Sequence, residues 1–179
     1  MTIKIKKGLS AVRQGFTLIE LLIVMAILGV LAVVVLVAIN PVEQLARARD
    51  TGRVSSVTQL GRSLAAYYTS QSQYPDATAG VWDQALILSG DINTFPAAVS
   101  QTDATCAGAV VNGYCYNVAT VVNVNDQALV YSLLISQQQI NKCAVLGGEP
   151  YAVFSTFDGR GGVACSAGEP VAGVALDYP

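Results

Sequence analysis

Gly15 to Ile39 reads GFTLIELLIVMAILGVLAVVVLVAI, and the rest of the chain is arranged around this stretch. From Leu21 to Ile39, 19 residues run without a polar side chain. A helix rises about 1.5 Å per residue and a bilayer's hydrocarbon core is about 30 Å thick, so such a run just spans it. One carboxylate, Glu20, stands at its front. A charge within hydrocarbon costs on the order of 3 kcal/mol and marks a function or a partner. Thr17 and Glu20 also fit a capping box, in which each side chain satisfies a backbone N–H at a helix start. The sequence leaves both readings open.

Upstream, Met1 to Gly15 holds Lys4, Lys6, Lys7 and Arg13 and no acid. An ordinary secretory signal has about 7–15 apolar residues and then a small-residue cleavage site. Here the apolar run is longer and ends at Ile39-Asn40-Pro41-Val42, without such a site. The positive-inside bias places the leader in the cytoplasm and everything after Asn40 outside. An uncut signal anchor fits this pattern too.

The stretch resembles the N-terminus of type IV pilins and pseudopilins. Their precursors are cut after a glycine, before an apolar helix that opens with Phe or Met and has Glu at its fifth position; here these are Gly15, Phe16 and Glu20. The strong resemblance runs from Met1 to Tyr68, and beyond Tyr68 there is a general similarity of plan. It implies cleavage between Gly15 and Phe16 by a membrane aspartic prepilin peptidase, with N-methylation of the new Phe16 amine. It implies that Glu20 serves assembly by facing the amine of a neighbouring subunit. The implied partners are other copies of the chain and minor pilins in a helical filament, together with the inner-membrane pilus assembly machinery. The implied locations are the cytoplasmic (inner) membrane for the single-pass precursor, head outside, and an extracellular pilus after assembly.

The expected organisation is a leader over 1–15, a long helix over 16–69 and a globular head over 70–179. Residues 16–39 form the transmembrane part, with Leu21 and Ile39 bounding the uninterrupted apolar run. Gly29 is a mild weak point in that helix, or a place for close helix contact. Pro41 cannot donate an N–H and disfavours the α conformation at Asn40, so a kink or short unwound segment is expected from Ala38 to Pro41. From Val42 to Tyr68 the pattern is amphipathic, with Val54, Val57, Leu60, Gly61, Leu64 and Tyr67 or Tyr68 at helical spacing. Glu43 and Arg47 form an i,i+4 pair, while Arg47, Arg49, Arg53 and Arg62 read as a solvated face. A continuous helix over 16–69 would be about 80 Å long, and its first half cannot be buried within one subunit.

Beyond Thr69, TSQSQYPD ends the helix. Val81 to Ser89 predicts a short helix closed by Gly90, with Trp82, Ala85, Leu86 and Leu88 available for packing. Asp91 to Gly113 is loop-rich. Tyr114–Val122, Ala128–Ile135, Tyr151–Phe157 and Val171–Leu176 read as strands, the first two joined as a hairpin at Asn125-Asp126. The expected fold class is α+β: a long transmembrane and amphipathic helix packed on a small antiparallel sheet head, pilin-like.

Nine acids against two cations, Lys142 and Arg160, give the segment after Thr69 a net charge of about −7, which disfavours phosphate and nucleic-acid binding by the head. Cys106, Cys115, Cys143 and Cys165 contain no CxxC, and the chain has no His, so zinc is not expected. Two disulfides are expected in an exported head, with Cys106–Cys115 and Cys143–Cys165 favoured because each joins segments near in sequence; free buried thiols are the alternative. No cofactor and no metal site is expected; Asp126 or Asp158 as a loop calcium ligand lacks a clustered acidic loop. Without His, Ser-His-Asp and Cys-His mechanisms are excluded, and no P-loop, G-x-S-x-G or H-E-x-x-H occurs. Asp158-Gly-Arg-Gly-Gly reads as a tight turn, and Tyr67, Tyr68, Tyr74 and Tyr151 as core or interface. The chain therefore reads as a structural subunit of a type IV pilus filament rather than an enzyme. The alternatives are a type II secretion pseudopilin, an uncut single-pass membrane-anchored binding protein and a secreted enzyme.

Overall fold

The computed structural model describes residues 15–99, 106, 108–120 and 123–179. The leader cations, Asp103 and the last two residues of the expected strand 114–122 lie outside the described residues. The chain divides into two compact units, Met1–Pro41 and Val42–Pro179.

In the first unit α1, Leu18–Ile39, is a 22-residue helix with no buried residue. It ends at Asn40, whose backbone is left-handed at φ 46°, ψ 76°. Asn tolerates this region better than most residues, and Pro41 then opens α2 at the position where a missing N–H does no harm. The interruption is confined to one residue rather than spread from Ala38.

The second unit is built on α2, Pro41–Gln71, which enters it from Val42 onwards. A five-stranded antiparallel meander follows in simple sequence order: β1 (Ala109–Val111), β2 (Tyr114–Ala119), β3 (Gln127–Leu133), β4 (Glu149–Ser155) and β5 (Arg160–Ser166). A short helix, α3 (Trp82–Leu88), precedes it, and another, α4 (Gln137–Ala144), interrupts it between β3 and β4. The β2–β3 hairpin turns at Asn125, which takes positive φ.

Strand side chains alternate between two faces. Tyr116, Val130 and Ala152 face one core with Val57, Leu60 and Leu64 of α2 and Trp82 and Leu86 of α3. Cys115, Leu129, Tyr131, Tyr151, Val153 and Ala164 face a second core with Ala172, Leu176 and Tyr178. Trp82 stacks on Tyr116 with ring centroids 4.7 Å apart, fixing α3 to the sheet.

Phe154 explains how α2 approaches so closely. A Cβ on Gly61 of α2 would fall within its ring, and a Cβ on Gly161 of β5 would lie 2.9 Å from Phe154 Cδ2. The ring is thus seated between two glycines.

Four local expectations are corrected. Residues 171–176 form no strand; they cover the second sheet face, and only Asp177 bridges back to Cys165. The fifth strand lies instead on Arg160–Ser166, where Gly161 pairs opposite Phe154. The turn reading of the glycines therefore holds for Gly159, at φ 65°, and stops there. Leu88 is 83% exposed rather than packed, because α3 turns only Trp82 and Leu86 inward.

Candidate assembly site

Two places on the chain carry polar chemistry against an apolar background. The first is the start of α1. Thr17 is extended at φ −83°, ψ 149°, the ordinary N-cap conformation. Its hydroxyl accepts from Glu20 N at 3.3 Å, while Glu20 Oε2 accepts from Thr17 N at 2.9 Å and from the Thr17 hydroxyl at 2.7 Å. The capping box is therefore formed, and both groups satisfying the carboxylate belong to one residue. Gly15 and Phe16 precede the helix in non-helical backbone, with Phe16 exposed. Leu21 and Ile39 lie on α1, exposed like the rest of it. By length and composition α1 is able to cross a membrane.

A family model described as "Prokaryotic N-terminal methylation motif" matches residues 11–36. The chain carries the N-terminal signal of type IV pilins and pseudopilins. The matched span takes in Gly15, Phe16, Thr17 and Glu20 and ends within α1. That signal implies a membrane-anchored precursor, processing by a prepilin peptidase and assembly with membrane machinery into filaments. It belongs to structural subunits rather than to enzymes. Neither a curated protein nor a solved structure matches the chain. With α1 ahead of a five-stranded antiparallel sheet, the α+β architecture is consistent with a pilin-like fold.

The second place is where α2 meets α4. Asp50 and Arg53 are only 4% and 3% exposed, so the solvated-face reading of Arg53 is corrected. Asp50 accepts from Ile135 N at 3.0 Å and Ser136 N at 2.8 Å, and its Oδ1 lies 3.7 Å from Arg53 Nη1. Arg53 also donates to the Leu133 carbonyl. Burial lowers its pKa and the Asp50 charge raises it, yet a guanidinium stays protonated in such a site. About two helical turns before Asp50 on α2, Glu43 accepts from Gln137 N at 3.0 Å and Gln138 N at 3.3 Å while pairing with Arg47 at 3.0 Å. The Gln137 N–H and then the Arg47 hydrogen bond hold its carboxyl below the ordinary value. Two carboxylates of α2 thus take up four successive backbone amides at the start of α4. Ser136, the N-cap by position, makes no side-chain cap bond. The far end of α4 is tied down by the Cys143–Cys165 disulfide to β5.

The sequence held a signal for this clamp. The buried spacing Val57, Leu60, Gly61, Leu64 extends backwards by four and three residues onto Arg53 and Asp50. A second disulfide joins Cys106 to Cys115 of β2, with Cα atoms 5.5 Å apart. Asp158 accepts from the Tyr178 hydroxyl at 3.3 Å, and Arg160 stacks on the Tyr178 ring 3.5 Å from its centroid. Asp126 accepts from Asn123 N at 3.0 Å. No group of three or more His, Cys, Asp or Glu that would hold a metal occurs among the described residues.

Proposed function

We propose that the chain is a structural, non-enzymatic subunit of a type IV pilus, cut between Gly15 and Phe16 and assembled through α1. Leader 1–15, helix 16–69 and head 70–179 are the corresponding parts of the precursor. The observation that carries this reading is the uncovered α1: a 22-residue helix whose one charged side chain is a carboxylate in the first turn, capped by Thr17 and preceded by Gly15-Phe16. Membrane covers such a surface before assembly, and other copies cover it afterwards. In the cut protein Phe16 bears a free amine at the head of an apolar helix. A lone buried charge costs several kcal/mol, and an opposite charge offsets much of this. Glu20 of the same or an adjacent copy is the acceptor in reach, and its pairing sets the axial register. The head then stands outside the cytoplasmic membrane and, in the filament, outside the cell.

The test combines mass and yield. The exported chain should begin at Phe16, and a bulky residue at Gly15 should abolish that cut. Glu20→Leu should still be inserted and cut, since insertion becomes less costly. Its sheared filament yield should fall sharply against membrane-bound mature subunit. An export form starting at Met1, or wild-type filament yield from Glu20→Leu expressed alone, would overturn the reading.

A further inference from the structure

The clamp at α4 satisfies only part of Arg53. Its Nη1 donates to the Leu133 carbonyl and faces Asp50, while Nε and Nη2 meet no acceptor among the described residues. The residue is nonetheless 3% exposed, and buried donors left without acceptors are costly.

Arg53 lines a cleft of about 290 Å³. Arg49, Gly52, Arg53 and Ser56 stand at three and four residue spacing, so one side of α2 supplies them all. Tyr114, the first residue of β2, lines the same cleft, and residues 97–99 complete it. Tyr114 is also 3% exposed, and its hydroxyl makes no hydrogen bond among the described residues. Its ring packs edge-on to Phe95, with centroids 6.2 Å apart. Burial is the largest influence on the Arg53 pKa and lowers it, and the like charge of Arg49 lowers it further, so the two guanidinium groups are neighbours. No carboxylate among the described residues lines the cleft. Asp50 answers the charge of Arg53, and Arg49 has no acidic partner among the described residues, so its charge is left over.

We propose that this cleft is a binding site for a phosphate group. A guanidinium offers donors and no acceptor, and two of them beside two hydroxyls call for an anion. One guanidinium serves a planar carboxylate with two parallel bonds. Here donors come from α2 and from β2, two directions, which suits a tetrahedral oxyanion. The volume stands at the small end of the roughly 300–1,000 Å³ of ligand sites, enough for the phosphate and little of what carries it. A Cβ on Gly52 meets nothing within 4 Å, so the glycine leaves the cleft open to entry. The net negative charge that disfavours phosphate binding belongs to the segment after Thr69, and both cations here stand before it on α2. Two arginines in one cleft make no track along a nucleic-acid backbone. Free inorganic phosphate and a phospholipid headgroup present the same group, and experiment separates them. The inference is independent of the filament reading.

The experiment uses the full-length chain in an uncharged, phosphate-free detergent. Inorganic phosphate, dihexanoyl phosphatidylglycerol and acetate are titrated separately by calorimetry. Expected is saturable binding of a phosphate probe, weakened roughly tenfold in Arg49→Gln and in Tyr114→Phe and lost in Gly52→Leu. Arg62→Gln removes an equal charge from α2 outside the cleft and should bind as wild type does. Binding of inorganic phosphate assigns the site to a free anion, and binding of the lipid alone assigns it to a headgroup. Saturable binding of neither phosphate probe overturns the proposal, as does acetate binding as tightly as phosphate. Equal weakening by Arg62→Gln also overturns it, because the attraction would then belong to the helix charge as a whole. Trp82 unfolding without phosphate shows which variants are folded; Arg49 is exposed, and Arg49→Gln against Arg62→Gln decides if another variant fails to fold.

Discussion

Replacing Asp50 by Ala should be the most damaging single polar change in the head. Asp50 is nearly fully buried, and its two oxygens accept from Ile135 N and Ser136 N while facing Arg53. Losing the cap alone is worth about 1–2 kcal/mol. Losing the counter-charge of a buried arginine is worth about 3–5 kcal/mol. The two overlap, because Arg53 keeps its bond to the Leu133 carbonyl, so the expected loss is about 3–5 kcal/mol in total. Against a domain stability of about 5–15 kcal/mol this is a large share. The assay is urea unfolding of the full chain in detergent, which keeps α1 covered. Trp82, the one tryptophan, is buried against Tyr116 and reports the head alone. The midpoint should fall by roughly 1–3 M urea. Asp50→Ala/Arg53→Met should recover part of the loss, since an apolar pair leaves no unmatched charge. A single-variant loss below about 0.5 kcal/mol would refute the argument, because contributions that small belong to exposed pairs.

Gly61→Val should destabilise the head by about 1–3 kcal/mol by forcing the Phe154 ring out of its seat, read by the same Trp82 unfolding curve; an unchanged midpoint would show that α2 can lift off the sheet at no cost. Glu43 gives a pH dependence. Its carboxyl is held below the ordinary 4.5 in the folded chain, so its contribution is present above pH 4.5 and disappears as pH falls through the lower folded value. The stability gap between wild type and Glu43→Gln should therefore be constant from neutral pH down to about 5 and close below 4.5, and a gap that widens on acidification would contradict the assignment.

The sequence announced the elements that rest on local chemistry. α1 was legible from composition, its start from Thr17 and Glu20, its end from Asn40-Pro41, and the β2–β3 hairpin from Asn125-Asp126. What stayed hidden depends on partners distant in sequence. α4 reads QQQINKCA, a polar stretch whose helix start is satisfied by residues 85 to 95 positions away. The local marks, Ser136 at the N-cap position and Lys142 in the last turn, are weak, and Ser136 makes no side-chain cap bond. β5 begins Arg-Gly-Gly, poor strand material by propensity, but Gly161 fits there because Phe154 fills the space a side chain would take. Conversely Val171–Leu176 has good strand composition and forms none; Ala172 and Leu176 pack on the second sheet face, while Val171 and Val174 stay exposed. The charge of Arg53 points to solvent, yet its spacing to Val57 and Leu60 puts it on the inner face, where it is buried.

The same residue type is used in two opposite ways along this chain. Asp50 is fixed from four directions, by two amides, one guanidinium and the packing above it, and no exchange of partners is open to it without loss of the fold. Among the described residues Glu20 is held by Thr17 alone, three residues away and exposed. Releasing such a cap costs about 1 kcal/mol. Pairing with an α-amine that has left water recovers several kcal/mol of an otherwise uncompensated burial. On the filament reading proposed above, a carboxylate placed at the front of an apolar helix and satisfied by its own cap would be stable while the subunit waits in the membrane and would still be free to change partner. A glutamate clamped like Asp50 would hold the subunit equally well and leave the Phe16 amine of the cut protein unanswered. The weakness of the Thr17–Glu20 cap is, on this reading, what fits it for assembly.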